Sequence, residues 1–155
     1  MRIWGILAII LVGFVSCKNN GQSTSTEKAT ASKVETVKES AQSLIIDPSA
    51  KPVKPDFRVL EMSIDSDVLT VLVSYGGGCE EHSFNAYFSG GWSKSLPPQA
   101  VLTFEHLNPN NDACRSIVKD TLLFDIKPLQ YSASKEVMVK WAANPEKQVL
   151  YKYGR

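Results

Sequence analysis

No stretch of this chain is long and apolar enough to span a bilayer, and neither sign of charge is in excess. A spanning helix needs about 20 apolar residues, and the longest apolar run, residues 3–15, falls short of that. Basic and acidic side chains number 17 and 16. So even a balance gives no argument for a nucleic-acid partner, which would show as a basic patch or a strongly basic domain. Cysteine and histidine are scarce, at three and two residues. Aromatic residues are missing from residues 18–56. No internal repeat and no long amphipathic helical pattern is present, which excludes a repeat array or a coiled coil.

What is present begins with a short leader. Met1-Arg2 supplies one positive charge, and residues 3–15 are almost all apolar. That is the length of a signal-peptide core, about 7–15 residues. Phe14-Val15-Ser16-Cys17 then resembles the lipobox of bacterial lipoproteins, with Phe14 where that pattern carries Leu. The resemblance implies that residues 1–16 are a lipoprotein signal peptide and that Cys17 receives lipid, palmitate included. Each buried CH₂ of an acyl chain contributes about 0.8 kcal/mol, so two or more chains hold a protein on a membrane without a spanning helix. The plainer alternative is an ordinary secretory peptide. Removing residues 1–16 removes one base, Arg2, and leaves 16 bases against 16 acids. The expected location is the cell envelope: exported to the periplasmic side and lipid-anchored to a bacterial membrane.

Residues 17–56 read as the lipidated cysteine followed by a flexible linker. The segment is dense in Ser, Thr, Lys and Glu, and such a chain buries too little apolar surface to offset its ordering entropy. Pro48, Pro52 and Pro55 close it in extended form. From residue 57 the pattern changes. Runs of β-branched and aromatic residues alternate with turn clusters, as in all-β domains. Expected strands are 58–65 (Leu60, Met62 and Ile64 on one face), 68–75 (buried on both faces), 82–88, 100–106, a fragment at 114–118 with a firmer one at 121–126, 136–141 and 147–153. Gly90-Gly91-Trp92 reads as a loop, and Asn144-Pro145 as a hairpin turn. The fold expected for residues 57–155 is a β-sandwich of about seven strands, immunoglobulin-like in size, with a small closed barrel as the alternative.

The chemistry-bearing residues gather around residues 75–88 (YGGGCEEHSFNAYF) and 106–114. If Cys17 carries lipid, Cys79 and Cys114 remain, an even number in an oxidising space. A disulfide between them is the first reading. A metal site using Cys79, His82, His106 and Cys114 is the second, since two Cys and two His form a zinc ligand set. Free thiols are the third. His82 and His106 both fall on the apolar phase of their strands, which suits core histidines satisfied by a hydrogen bond to the neighbouring strand's backbone. Gly76-Gly77-Gly78 lacks the Lys-Ser/Thr of a phosphate loop and is followed by two acids, so it reads as a turn needing positive φ or close backbone approach. Ser132-x-x-Lys135 and Ser116-x-x-Lys119 both match an acylating motif, which shows how little that pattern discriminates. Asn108, Asn110, Asn111 and Asp112 read as a turn rather than a calcium loop.

Gly77-Gly78-Cys79-Glu80-Glu81-His82-Ser83-Phe84, then His106, then Asn111-Asp112-Ala113-Cys114, then Leu122-Leu123-Phe124-Asp125-Ile126-Lys127-Pro128-Leu129 resembles the C-terminal β-sandwich domain of NigD-like bacterial lipoproteins. The resemblance covers about residues 57–130. It implies a cell-envelope lipoprotein and brings no catalytic role. The function expected is therefore a non-catalytic binding or structural module, tethered to a membrane by lipid. No enzyme activity and no cofactor are expected. The partner would be an envelope protein or a small ligand, met by loops at 76–81, 90–95 and 108–112 through Glu80, Glu81, Trp92 and Asp112.

Overall fold

A computed structural model describes residues 40–52 and 54–154. The leader, Cys17 and most of the expected linker lie outside the described residues. Within them the chain forms nine strands and one short 3-10 helix, Lys127–Leu129. The strands are β1 (Gln42–Ser43), β2 (Ile45–Ile46), β3 (Phe57–Asp65), β4 (Val68–Gly77), β5 (Ser83–Ser93), β6 (Gln99–Leu107), β7 (Ser116–Asp125), β8 (Glu136–Trp141) and β9 (Asn144–Lys152).

They form two sheets, ordered β1-β7-β4-β3 and β2-β5-β6-β8-β9. The fold is therefore all-β and two-layered, as expected, rather than a closed barrel. Both sheets are mixed: β6 and β8 run parallel, as do β1 with β7 and β2 with β5, while the other pairs are antiparallel. The β6–β8 parallel pair is possible because the chain visits the opposite sheet through β7 between them.

Strand alternation builds the core. Leu69, Val71 and Val73 of β4 are fully buried, each contributing about 1.5–3 kcal/mol relative to exposure. Phe84, Ala86 and Phe88 of β5, Ala100, Leu102 and Phe104 of β6, and Val137, Val139 and Trp141 of β8 face them in the same period of two. The opposite face of β4, with Val68, Thr70 and Leu72, is only half-buried. A central strand covered on both faces is thus corrected to one covered on its core face alone.

Other boundaries also move. In β3 the register shifts between Val59 and Glu61. Phe57 and Val59 point inward before this bulge, and Met62 and Ile64 after it. Leu60 therefore leaves the expected face, and its carbonyl accepts the Lys147 ammonium at 2.6 Å. The fragments at 114–118 and 121–126 are one strand, because every residue from Val68 to Gly77 pairs with one from Asp125 back to Ser116. Gly90 and Gly91 sit in a bulge within β5 rather than in a loop. Ala142 and Ala143 turn the last hairpin, with Trp141 opposite Asn144, and Pro145 is accepted inside β9 because β9 is an edge strand.

Folded structure also starts before residue 57. Gln42 and Ser43 pair with Phe124 and Asp125 of one sheet, and Ile45 and Ile46 pair with Tyr87 and Phe88 of the other. Between them Leu44 is buried in the core. This strap crosses from sheet to sheet and covers part of the β7 and β5 edges, which would otherwise offer unpaired backbone groups.

Candidate functional site

Three segments meet at the end of the sandwich where β4 stops and β5 starts. The β4–β5 loop carries Cys79, Glu80, Glu81 and His82. The β6–β7 connection carries Asn108 to Arg115. The strap brings Asp56 to the start of β3. A disulfide joins Cys79 to Cys114, with Cα atoms 6.0 Å apart and a sequence separation of 35.

Asp112 organises the two loops. Its Oδ2 accepts the backbone N–H of Cys79 at 2.9 Å and of Glu80 at 3.1 Å, and its Oδ1 accepts that of Cys114 at 2.8 Å. The Asp112 amide in turn donates to Asn108 Oδ1 at 2.8 Å, which shapes the turn that Asn111 completes with a φ of 50°. The amides of Cys114 and Cys79, then the His82 ring and the Glu80 amide, hold the Asp112 carboxyl far below the usual carboxylate range, against the opposing effect of burial.

From Asp112 a line of contacts runs through both histidines. His82 Nε2 is 3.2 Å from Asp112 Oδ2, His82 Nδ1 is 2.8 Å from His106 Nε2, and His106 Nδ1 is 3.0 Å from Asp56 Oδ1. The imidazole planes lie 16° apart. A nitrogen–nitrogen distance this short lies inside the optimal ring-face separation of about 3.5–4.0 Å, so the rings meet edge to edge. Tyr75 packs against both imidazoles with ring centroids 4.8 Å away. Burial, followed by the charge of Asp120, pushes the Tyr75 hydroxyl up.

Gly77 makes room for this line. A Cβ there would sit 2.6 Å from His82 Nε2 and 3.0 Å from Asp112 Oδ2, at a φ of 147°. The glycine run thus serves close approach as well as the turn.

The expected site residues divide clearly. Cys79 and Cys114 are joined, as the first reading had it. His82 and His106 do sit on the core side, but their partners are each other and two carboxylates instead of strand backbone. A backbone partner would need a lone acceptor beside each ring, and the loops supply carboxylates there. For the metal reading through Cys79, His82, His106 and Cys114, the structure places both sulfurs in a disulfide and the facing ring nitrogens against each other. Asp112, expected on a binding surface, has a side chain only 2% exposed, because three amides and an imidazole surround it. Glu80 and Glu81 are exposed, and Glu80 accepts the Asn110 amide at 3.0 Å.

Trp92 is half-buried. It stacks on Tyr131, packs edge-on to Phe88 and donates its indole N–H to the Leu129 carbonyl at 3.0 Å. The loop near residues 90–95 lies at the far end of β5, about 30 Å from the other two loops by strand rise. The three loops therefore make no single surface.

Asp56 is the site residue that the sequence did not point to. It is 50 residues from His106, at the end of a stretch that reads as linker. The His82 and His106 side chains are 1% and 3% exposed and Asp56 is 68% exposed. Chemically, the arrangement clamps strap, loop and strand ends together through charged hydrogen bonds.

No family model and no curated protein matches the sequence. Among solved structures, a protein from Parabacteroides distasonis described as toxin-related is similar at 17% identity and a TM-score of 0.43, over 72% of this chain and 59% of that one. A protein of unknown function from Bacteroides vulgatus is similar at 21% identity and a TM-score of 0.45, over 74% of this chain and 56% of that one. This chain thus spans less than two thirds of the length of either.

Proposed function

We propose that this protein is an exported, lipid-anchored module of a bacterial cell envelope, with a non-catalytic binding or structural role. The observation that carries the proposal is the Cys79–Cys114 disulfide. It accounts for two of the three cysteines and belongs in an oxidising compartment. The third, Cys17, then stands where a short apolar leader ends in a lipobox-like sequence. Lipid on Cys17 would hold the domain at the membrane, and residues 18–39 would space it from the surface. The partner is an envelope protein or a small ligand. Glu80 and Glu81, exposed beside the rigid disulfide loop, are the side chains best placed to meet it.

Growth with an alkyne-tagged palmitate analogue tests the reading. The expected result is label on the wild-type chain in the membrane fraction, and none on a Cys17→Ser variant. An unlabelled wild-type chain recovered in soluble form would overturn the anchor, and Cys79 and Cys114 found as free thiols in the native protein would overturn the compartment.

A further inference from the structure

Hydrogen-bond bookkeeping at the two histidines leads beyond a passive clamp. Asp112 already accepts three backbone N–H groups, which fixes it as an anion. Its Oδ2 can therefore face His82 Nε2 at 3.2 Å only if that nitrogen carries a proton. At the other end Asp56 Oδ1 faces His106 Nδ1 at 3.0 Å, a hydrogen-bond length that a proton on that nitrogen satisfies. A neutral imidazole carries one proton and no more. If both rings were neutral, His82 Nδ1 and His106 Nε2 would be bare, with two lone pairs opposed at 2.8 Å. That distance is a hydrogen-bond length, and a hydrogen bond there needs a third proton.

We propose that His82 and His106 bind one proton between them as a buried N–H···N bridge, and that this proton latches Asp56, and with it the end of the strap, onto the sandwich. The bridged pair carries one positive charge between two carboxylates. The groups facing it are Asp56 from the strap, Asp112 from the β6–β7 connection and Tyr75 from β4, with the apolar rings of Phe57 and Phe84 closing the sides. Asp120 of β7 lies across a cleft of about 130 Å³ that His82 lines with Ser40 and Gln42. Arg58 shares the groove beside Asp56 and Tyr75. Glu80 is turned to Asn110.

Loss of the proton to water leaves two protons for three contacts. His82 keeps its bond to the buried Asp112. His106 then moves its one proton to Nε2, toward His82, and presents a bare Nδ1 to Asp56. Two electron-rich atoms face each other, and Asp56, being mostly exposed, swings into solvent. Alkaline conditions thus open the latch and acid closes it.

The chain has two histidines, so ring-¹⁵N histidine labelling of the full chain in detergent micelles gives four nitrogen signals. With the latch closed the expected count is three protonated nitrogens, with a coupling across the facing pair. As pH rises, the third proton leaves, and His106 changes from protonated Nδ1 to protonated Nε2 in the same step. Asp56→Ala and Asp56→Asn, both at an exposed position, shift that step to lower pH. Two protonated nitrogens in the native protein would overturn the proton site. Retention of the His106 Nδ1 proton at high pH, or a step unmoved in both Asp56 variants, would overturn the latch.

Discussion

The carboxylate of Asp112 holds the backbone amide of Cys79 at 2.9 Å, across 33 residues of sequence, while its other oxygen holds the amide of Cys114 at 2.8 Å. One side chain therefore spans both ends of the disulfide. The covalent link and the carboxylate secure the same pair of loops by independent means.

This arrangement sets a pH dependence. The carboxyl is held far below its ordinary value, chiefly by the amides of Cys114 and Cys79. A depressed acid contributes stability that is fully present above its unfolded value of about 3.9 and is lost as pH falls toward the folded one. Wild-type protein is expected to lose stability steeply below about pH 4. Asp112→Asn is less stable at neutral pH and has a shallower acid limb. Urea midpoints measured from pH 2 to pH 7 check this, and parallel acid limbs for the two proteins would refute it.

Reduction of the disulfide removes a cross-link closing a loop of 35 residues. The chain-entropy model assigns such a loop about 4 kcal/mol. Cys79→Ser with Cys114→Ser should lower the unfolding free energy by about that amount. The Asp112 contacts remain, so the double variant still folds at low temperature. Denaturant melts with and without a dithiol reductant measure the difference, and wild-type protein under reductant should match the variant.

Much of this fold was legible in the sequence, and what was hidden has physical reasons. Strands β6 and β8 alternate strictly along their buried stretches, so their core faces read directly. The β3 bulge at Leu60 reverses the inward phase in mid-strand, and no periodic pattern announces such a reversal. Leu44 hides because it opens a run of only three apolar residues, Leu44 to Ile46, too short to show a period. At the site, local spacing brought out Cys79, His82, His106 and Cys114. Asp112 stood out only as a turn and surface residue, and Asp56 arrives through the strap, in no pattern that spacing could reveal.

Leu44 supplies the third prediction. It is the buried residue between two short pairings that reach different sheets. Leu44→Ala should cost about 2 kcal/mol, the low end for a buried leucine because the strap can partly collapse. Ile46→Ala, at a half-exposed neighbour, should cost under about 0.5 kcal/mol, as surface substitutions do. A soluble chain begun at residue 57 should aggregate, since β5 and β7 lose their edge cover. One begun at residue 40 should stay monomeric. Light scattering of the two truncations separates these outcomes.

Neighbouring glycines give an internally controlled test. Alanine at Gly77 would place its Cβ 2.6 Å from His82 Nε2 at a positive φ, whereas Gly76 has nothing within 4 Å of the added carbon. Gly77→Ala combines overpacking and backbone strain and should cost about 3 kcal/mol. Gly76→Ala should change stability by under about 0.5 kcal/mol. Equal urea midpoints for the two variants would mean that the line of contacts through the histidines tolerates displacement of His82.

At the opposite end of the molecule, Tyr151 provides a spectroscopic check. Its side chain is fully buried, its hydroxyl donates to Asp67 Oδ1 at 2.6 Å, and it accepts the Gln130 amide at 2.9 Å. Burial first, and then the Asp67 carboxylate, push the hydroxyl up to about 12. A raised phenol contributes stability that is complete below its unfolded value of about 10 and fades as pH rises through the folded one. Ultraviolet titration should therefore show one tyrosine ionising near pH 12 in the native state, and Tyr151→Phe should remove that step. The variant should lose about 1 kcal/mol at neutral pH, because Asp67 stays partly solvated and keeps water as a substitute. It should also lose less stability than wild type between pH 10 and pH 12, where only the wild type still holds a proton that the unfolded chain has released.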